Sequence, residues 1–474
     1  MSAGAGVLFN SLEFALFLPV VLGLYWLLPL RGQNVLLLLA SYVFYGAWDA
    51  RFLSLIFIST LVDFVVGKKL GTVSDDRRRR TWFLASVVCQ LGMLAFFKYF
   101  GFFVDSAVRL VSWVGLDVHP PLFEVLLPVG ISFYTFQTMS YIFDVYRRRI
   151  EPTSDFVTFA TFVAYFPQLV AGPIERARNL LPQIEDERRR PDGDAVRSGL
   201  LLMLVGLFKK VAVADAVAPF VADAFSGDAG RGMLLLGMLA FSLQIYGDFA
   251  GYTDIARGAS RLFGIELMRN FRQPYLARSI TEFWRTWHIS LSAWLHDYLY
   301  VPLGGNKRGR LATYRNLVLT MLLGGLWHGA NWTFVVWGGL HGLLLAGHRL
   351  LGGYVPRDKL SPLRWRDAPA ILLTFASVTV LWIFFRADSM GAALDYLGGL
   401  ATRPWGVVDF DAAVIVLFSA AAVLLLDLAQ RLTDDDVVIL RWPAAVRGAS
   451  VALLVVAIAV WTGGTAQPFI YFQF

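Results

Sequence analysis

Two histidines lie in apolar stretches where an ionisable side chain is unexpected. His328 belongs to residues 316–347, which contain no Asp, Glu, Lys or Arg, and His288 belongs to the tryptophan-rich residues 284–300. Hydrocarbon offers an imidazole no hydrogen-bond partner, so a histidine at bilayer depth is a functional-site hypothesis by default. Histidine also exchanges protons near neutral pH. The two positions therefore predict a buried proton-transfer site, with His328 and His288 as the catalytic candidates.

The residues around these histidines offer ring area and hydrogen-bonding groups. Trp327 and Asn331 flank His328. A continuous helix over 284–300, turning about 100° per residue, would separate an aromatic face from a polar face. The aromatic face comprises Trp284, Trp287, Leu291, Trp294 and Tyr298, and the polar face comprises Arg285, His288, Ser292 and His296. The substrate-binding candidates from these stretches are Trp327, Asn331, Trp284, Arg285 and Ser292.

A structural role for the same groups stays open. Tryptophans on one helix face are also typical of an interfacial helix anchored at headgroup depth. His288 is compatible with a hydrogen-bonded structural histidine, and His328 with a neutral ring bonded to a backbone carbonyl. His341 and His348 are interpreted as structural or interfacial. No His-Glu-x-x-His or comparable ligand spacing occurs, so we expect no metal site.

A further polar cluster interrupts the apolar block that begins near residue 233. It comprises Gln244, Tyr246, Asp248 and Asp254. Intramembrane carboxylates are costly unless they are paired. These groups could line a cavity as substrate-binding residues or neutralise a cation such as Arg285, and structural ion pairing is equally compatible with them.

Composition assigns the chain to the polytopic helical membrane proteins. Of its 474 residues, 57% are hydrophobic and only 16% are charged, whereas soluble domains carry roughly 25% charged residues. The net charge of +7 comes from short basic runs between apolar blocks, which is typical of cytoplasmic loops and not of a nucleic-acid interface. The single cysteine, Cys89, excludes an intramolecular disulfide.

The basic runs also orient the chain, because cytoplasmic loops carry an excess of Lys and Arg. We assign four runs to the cytoplasm, at 77–80, 147–149, 188–190 and 307–310. Only one apolar block, 156–170, separates the second run from the third. Likewise, residues 284–300 lie between the arginines at 269–285 and the fourth run. One span cannot begin and end on the same side of the membrane. Both segments are therefore predicted to be re-entrant or to lie flat at the cytoplasmic face. Re-entrant backbone must be covered by protein or line a water-filled space, which predicts a central cavity or tunnel.

The apolar blocks predict about 11 or 12 spans, each needing about 20 residues. The first block, 14–28, is preceded by Glu13 and not by a basic region, so we interpret it as a retained span and not a signal peptide. Residues 316–347 are too long for one upright span, which predicts two short or broken segments. Glycine pairs at 324–325 and 338–339 are the candidate breaks or close-packing points. The expected fold is an all-α polytopic membrane bundle forming one domain over 1–474.

A set of motifs along the chain resembles those of bacterial membrane-bound O-acyltransferases (the MBOAT superfamily), specifically the alginate O-acetyltransferase branch. The motifs are FNSLEF at 9–14, YFPQLVAGPI at 165–174, YGDFAGYTD at 246–254, WRTWHISLSAW at 284–294, DYLYVPLGGN at 297–306, GLWHGANW at 325–332 and FIYFQF at 469–474. They run nearly from end to end in order, so the similarity is specific. The resemblance implies that His328 is the superfamily histidine and His288 the second motif histidine.

The resemblance implies a multi-pass enzyme of a bacterial cytoplasmic (inner) membrane that moves an acetyl group outward. The donor would be acetyl-CoA, a substrate and not a bound cofactor. The acceptor would be an extracytoplasmic polysaccharide or a periplasmic partner acetyltransferase. Transfer from a thioester to a hydroxyl needs a base and hydrogen-bond donors for the tetrahedral oxyanion. His328 is the proposed base, Asn331 or His288 the proposed oxyanion donor, and direct transfer is simpler than an acyl-enzyme.

Three other functions stay open from the sequence alone. The same fold could move D-alanyl or another acyl group onto a cell-envelope glycan. A transporter or flippase would also have broken helices and intramembrane polar groups, although we find no internal repeat. A non-catalytic scaffold of a polysaccharide secretion complex is the third.

Overall fold

The computed structural model describes residues 8–116, 125–169, 172–353, 362–462 and 469–472. Every regular element in those residues is a helix, which confirms the predicted all-α class. The chain divides into two compact units. The first consists of Met1–Pro191 with Ser260–Leu267, and the second of Asp192–Ala259 with Met268–Phe474.

The first unit contains nine α-helices within the described residues. They are α1 (Leu12–Tyr25), α2 (Leu30–Asp49), α3 (Leu53–Thr72), α4 (Asp76–Leu94), α5 (Phe100–Trp113), α6 (Ile131–Tyr146), α7 (Phe156–Ala164), α8 (Phe166–Leu169) and α9 (Ala177–Glu185). A 3-10 turn at Ala50–Phe52 separates α2 from α3, and a π-helical turn at Ala95–Tyr99 joins α4 to α5.

Polar groups in the interior of the first unit bond to one another. The fully buried carboxylate of Asp63 on α3 accepts hydrogen bonds from Ser86 Oγ at 2.5 Å and from Gln90 Nε2 at 2.9 Å, both on α4. Tyr165 Oη lies 2.9 Å from Ser260 Oγ. Such bonds satisfy groups that lipid cannot, and they tie neighbouring helices together.

The second unit contains the remaining α-helices of the described residues. They are α10 (Gly193–Leu207), α11 (Ala216–Ala224), α12 (Arg231–Leu262, whose last turn belongs to the first unit), α13 (Ile280–Thr286), α14 (Ile289–Leu295), α15 (Arg310–His328), α16 (Trp332–Leu350), α17 (Ala368–Arg386), α18 (Met390–Thr402), α19 (Phe410–Thr433) and α20 (Ala444–Trp461). It also has π-helical turns at Phe208–Asp215 and His296–Tyr300, and 3-10 turns at Pro274–Leu276, Trp365–Asp367, Val438–Arg441 and Ile470–Phe472.

Six helical stretches in the described part of the chain are long and apolar enough to cross a membrane. They are Leu30–Thr72, Asp76–Trp113, Arg231–Leu262, Trp365–Arg386, Phe410–Thr433 and Ala444–Trp461. The first two have 43 and 38 residues, and each contains two of the α-helices above. The chain is therefore a multi-pass membrane protein. The total of 11 or 12 spans, the re-entrant segments and the tunnel stay predictions.

The stretch 316–347 folds as a helical hairpin, α15 and α16, as the two-segment prediction required. The break falls at residues 329–331. Of the two roles predicted for the glycine pairs, that of a break is therefore wrong and that of close packing is confirmed. Gly325 and Gly338 are instead points of close packing. A Cβ atom on Gly325 would overlap the carbonyl oxygen of Phe334, and one on Gly338 would overlap that of Met321. Only glycine lets the two backbones approach so closely.

The prediction of a continuous helix over 284–300 is wrong. The helix α13 ends at Thr286, Trp287 is extended, and His288 has φ +43° before α14 begins at Ile289. The backbone N–H of Ile289 donates to the carbonyl of Asn270, so a tertiary bond replaces a helical one. The two faces proposed for a single helix therefore do not exist as such.

The apolar block 156–170 is also broken, between α7 and α8. The helix α7 ends at Ala164, and Tyr165 adopts φ −49° and ψ 107° before α8 begins. Val170 and Ala171, which belong to the motif at 165–174, lie outside the described residues.

Candidate active site

His288 is held at the break between α13 and α14 by the side chain of Asn270. Its Nδ1 lies 3.1 Å from Asn270 Oδ1, which also accepts the backbone N–H of Ser290 at 3.2 Å and the Ser290 hydroxyl at 2.9 Å. A backbone N–H can only donate, so the amide atom at this point is the oxygen, and Nδ1 of His288 must carry a hydrogen. In the neutral ring, the lone pair that can take a proton is therefore on Nε2.

An ionic cluster fixes the segment that carries Asn270. Arg269 donates to Asp436 Oδ2 at 2.6 Å and to Asp434 Oδ1 at 3.0 Å, and Arg272 donates to Asp434 Oδ2 at 2.6 Å. Burial raises the pKa of Asp436, but the bonds and charges of Arg269 and Arg257 outweigh it and lower that pKa to about 2. The carboxylate is charged at any physiological pH, so the support of His288 is locked by charge-assisted bonds.

His328 is the last residue of α15 and is enclosed by aromatic rings. Its ring centroid lies 5.0 Å from that of Trp327, 5.2 Å from Trp337 and 5.4 Å from Phe385. The side chain is 4% exposed. Because α15 stops here and residue 329 is extended, the imidazole stands at the end of a helix and not within one.

The structure brings the two candidate histidines together. Their ring centroids lie 6.3 Å apart, and His288 is fully buried. Trp327, predicted as a substrate-binding residue, lies 5.9 Å from the His288 ring as well as beside His328. Two buried imidazoles at this separation could pass a proton to and from a bound hydroxyl, which is the chemistry expected from the sequence.

Two aromatic residues that the sequence analysis did not single out complete this site. Phe249 of α12 lies 4.7 Å from the His288 ring, and Tyr471 lies 4.6 Å from Phe249 and 5.6 Å from His328. Below, "the histidine enclosure" means His288, His328, Trp327, Phe249 and Tyr471. The ending motif of the sequence was noticed, but no local pattern indicated that it reaches the histidines.

Asp248 holds the segment that carries Tyr471. Its Oδ2 accepts the backbone N–H of Ile470 at 2.6 Å, and its Oδ1 lies 2.8 Å from Lys210 Nζ. The neighbouring pair on the same helix joins Asp254 to Lys209 at 2.8 Å. Lys210 therefore pairs with Asp248, and Lys209 and Arg257 pair with Asp254. Arg285, suggested from the sequence as a partner, is not among the described ion-pair partners of these two carboxylates.

Tyr246 and Gln244 lie on α12 and are not among the five residues of the histidine enclosure. Tyr246 donates its hydroxyl to Asp427 Oδ1 at 3.1 Å, and its ring lies 6.1 Å from Trp287. Gln244 is half-buried. Their assignment as substrate-binding residues stays a prediction.

Four substrate-binding candidates from the sequence remain: Trp284, Arg285, Ser292 and Asn331. Trp284 donates its Nε1–H to Nδ1 of His341 at 3.2 Å, and Ser292 donates to the carbonyl of Trp287 at 3.2 Å. Arg285 is half-buried on α13. Asn331 caps α16: its oxygen accepts the N–H of Thr333 at 3.1 Å and its amide donates to the carbonyl of Asp388 at 2.9 Å. These bonds engage the oxygen and one of the two amide hydrogens, so the proposed oxyanion role of Asn331 stays a prediction.

Comparison with known proteins shows the family of the chain. The model of the MBOAT, membrane-bound O-acyltransferase family matches residues 37–390, a range that contains both histidines. A probable alginate O-acetylase AlgI of Azotobacter vinelandii is 43% identical over 88% of this chain and 83% of its own length. The Pseudomonas putida protein of the same description is 39% identical over 99% of this chain and 100% of its own.

A third relative has a different printed name. The peptidoglycan O-acetyltransferase of Helicobacter pylori is 36% identical over 83% of this chain and 80% of its own length. The matches cover most of each protein, so the likeness is not confined to one motif. They exclude the transporter and scaffold alternatives. The chain belongs to the membrane-bound O-acyltransferase family and is an O-acyltransferase.

Proposed function

We propose that this enzyme takes an acetyl group from cytoplasmic acetyl-CoA and passes it outward to an alginate-type exopolysaccharide or to a partner acetyltransferase. The membrane would be the inner membrane of a bacterium. The observation that carries the proposal is the buried His288–His328 pair, with ring centroids 6.3 Å apart inside the histidine enclosure. The named relatives support acetyl as the group that is moved.

In the proposed reaction His328 acts as the general base. It takes the proton of the acceptor hydroxyl while the oxygen attacks the thioester carbonyl, and a tetrahedral oxyanion forms. The carbon–sulfur bond then breaks, the thiolate takes the proton from the imidazolium, and the ester and free thiol leave. Bonds and protons balance without a covalent acyl-enzyme or a metal ion.

His288 has a different part in this scheme. With its Nδ1 hydrogen bonded to Asn270, the neutral ring offers Nε2 as an acceptor. Burial disfavours the charged form that an oxyanion donor would need at this nitrogen. We therefore assign His288 to orienting a proton donor, either the acceptor hydroxyl or protonated His328.

The direction of transfer follows from charge and polarity. Acetyl-CoA carries phosphates that cannot cross hydrocarbon. By the positive-inside rule, the basic runs at 188–190 and 307–310 are assigned to the cytoplasmic face of the membrane. The ionic cluster of Arg269 and Asp436 lies beside the segment that leads into His288. Arg269 and Arg272 are assigned to the cytoplasmic face by the same rule, so a donor that enters beside them would approach along the segment that leads into His288.

Sealed proteoliposomes with the protein oriented as in the cell test the proposal. Acetyl-CoA carrying a radiolabelled acetyl group is supplied either inside, at the cytoplasmic face, or outside, with alginate oligosaccharides outside in both arms. Labelled glycan should form only with the donor inside. Equal activity with the donor outside would overturn outward transfer across the membrane.

Two further arms identify the substrates. Replacing the glycan by peptidoglycan fragments tests the acceptor, and replacing the donor by a D-alanyl thioester tests the acyl group. A preference for the D-alanyl donor would move the assignment to D-alanyl transfer. A preference for peptidoglycan would leave acetyl transfer intact and change only the acceptor.

A further inference from the structure

Segment 469–472 reaches the histidine enclosure because a buried carboxylate holds its backbone. Asp248 is 2% exposed, and its Oδ2 accepts the N–H of Ile470 at 2.6 Å. On either side of that bond, Phe469 packs on Tyr252 at 4.5 Å and Tyr471 packs on Phe249 at 4.6 Å. The peptide is thus fixed by one charge-assisted bond and two ring contacts with α12.

A simple ion pair does not account for Asp248. Lys210 also has Asp215, whose Oδ1 lies 2.7 Å from its Nζ, so the buried ammonium would keep a counter-charge without Asp248. An intramembrane carboxylate is costly to retain. The oxygen of Asp248 that is not directed at Lys210 is the one that takes the Ile470 amide.

We propose that Asp248, which is paired with Lys210, is a positioning residue that seats segment 469–472 against His328. The active site is complete only when this segment is seated. The proposal rests on the proposed function for its catalytic consequence, but the seating itself does not. Asp248 touches no reacting atom; it acts through Tyr471, whose ring forms part of the wall around His328. Released from Asp248, the segment would leave the histidines open to lipid or water.

The chain offers a closely matched control. Asp254 lies on the same helix, is 9% exposed and pairs with Lys209 at 2.8 Å, just as Asp248 pairs with Lys210. Its described hydrogen-bond and ion-pair partners are Lys209 and Arg257. Loss of either carboxylate breaks a buried lysine pair, but only loss of Asp248 removes the acceptor for Ile470.

The experiment compares Asp248→Leu, Asp248→Asn, Asp254→Leu and Asp254→Asn in the full chain, reconstituted in nanodiscs. Backbone hydrogen exchange of a peptide spanning 469–472 reports seating, melting temperature reports folding, and acetyl transfer gives kcat and KM. We expect Asp248→Leu to accelerate exchange at 470 and to lower kcat by about 10²-fold, the scale of a misplaced active-site wall, with KM for acetyl-CoA little changed. Asp248→Asn keeps an oxygen that can accept the N–H and should be intermediate.

The two Asp254 variants should leave exchange at 470 as in the wild type. Equal effects of the two leucine variants on exchange would reduce Asp248 to an ordinary ion pair. Faster exchange with unchanged kcat would overturn the role in catalysis. If Asp248→Leu does not fold, the two asparagine variants decide the matter by the same comparison. If the wild type transfers no acetyl group, the proposed function fails while the exchange data still report seating.

Discussion

Three buried histidines of the second unit belong to one connected cluster of aromatic rings, yet their surroundings differ. His341 lies within the unbroken helix α16, accepts a bond from Trp284 and packs among Trp337 and Trp382. His288 and His328 both lie at helix breaks, and a charged residue fixes the segment beside each of them. Burial alone therefore does not distinguish these histidines. We propose that the broken backbone and the charged groups beside it distinguish the two candidate catalytic histidines from His341.

The sharpest test of this contrast replaces each histidine by glutamine, whose amide can keep a hydrogen bond. His328→Gln should abolish acetyl transfer, because an amide cannot take the hydroxyl proton. His341→Gln should remain close to wild type, because its oxygen can still accept the Trp284 N–H. Acetyl content of the exopolysaccharide in cells measures both variants against equal amounts of folded protein. An equal loss of acetyl transfer in the two variants would mean that the histidines of this aromatic cluster act only through packing.

We also expect His288 and the residue that holds its ring, Asn270, to affect kcat to different degrees. His288→Ala should lower kcat by about 10²-fold or more, the scale of an acid–base group. Asn270→Ala should cause a smaller loss, because the ring remains but its Nδ1 hydrogen is no longer held. Steady-state kinetics on purified protein measure both, and near-native turnover of His288→Ala would demote His288 to a packing role.

Much of this site was predictable because its signals are local. An ionisable ring in a stretch without charge is visible in the sequence, and so are the tryptophans around it. Asn331, which precedes an apolar helix, carried an N-cap signal that was outweighed by its closeness to His328. The two adjacent lysines at 209–210 interrupt an apolar stretch and could have been recognised as partners of Asp248 and Asp254.

The remaining contacts depend on tertiary structure. Asn270 breaks the helix at His288 from a distance of 18 residues in the chain, and no propensity of 284–300 predicts this. Phe249 and Tyr471 reach the histidines from α12 and from the 469–472 segment. Aromatic residues are abundant throughout this sequence, so neither stood out.

Glycine substitutions in the hairpin of α15 and α16 should change stability more than chemistry. If Gly325 and Gly329 only lined the predicted tunnel, a bulky side chain at either position would block transfer without unfolding the protein. The structure predicts otherwise for Gly325, since even a methyl group would meet the Phe334 backbone. Gly325→Ala should cost about 1–3 kcal/mol, the usual price of overpacking, and should lower the melting temperature.

Two related variants calibrate this result. At Gly329 the methyl group would meet the ring of Phe334, which can move, so Gly329→Ala should be milder. Gly347 of α16 has open space, so Gly347→Ala should stabilise by up to about 1 kcal/mol through helix propensity. A melting temperature for Gly325→Ala above that of Gly347→Ala would contradict the close packing of the hairpin.

The smallest expected effect is at Asn331. Asn331→Ala removes the cap of α16 and should cost about 1 kcal/mol, with little change in kcat. Asn331→Asp keeps the oxygen that accepts the Thr333 N–H and should recover most of that stability. Thermal melting and kinetics are measured together. A large drop in kcat in the alanine variant would return Asn331 to the role of oxyanion donor.

The central claim is that the thioester is cleaved at the histidine enclosure with His328 as the base. The most direct measurement follows CoA release and transfer of radiolabelled acetyl from acetyl-CoA by purified wild type and His328→Ala, both checked for folding by melting temperature. We predict that the variant melts like the wild type, yet releases no CoA and forms no labelled product above background. A folded His328→Ala protein that transfers acetyl within a few-fold of the wild-type rate would contradict the account.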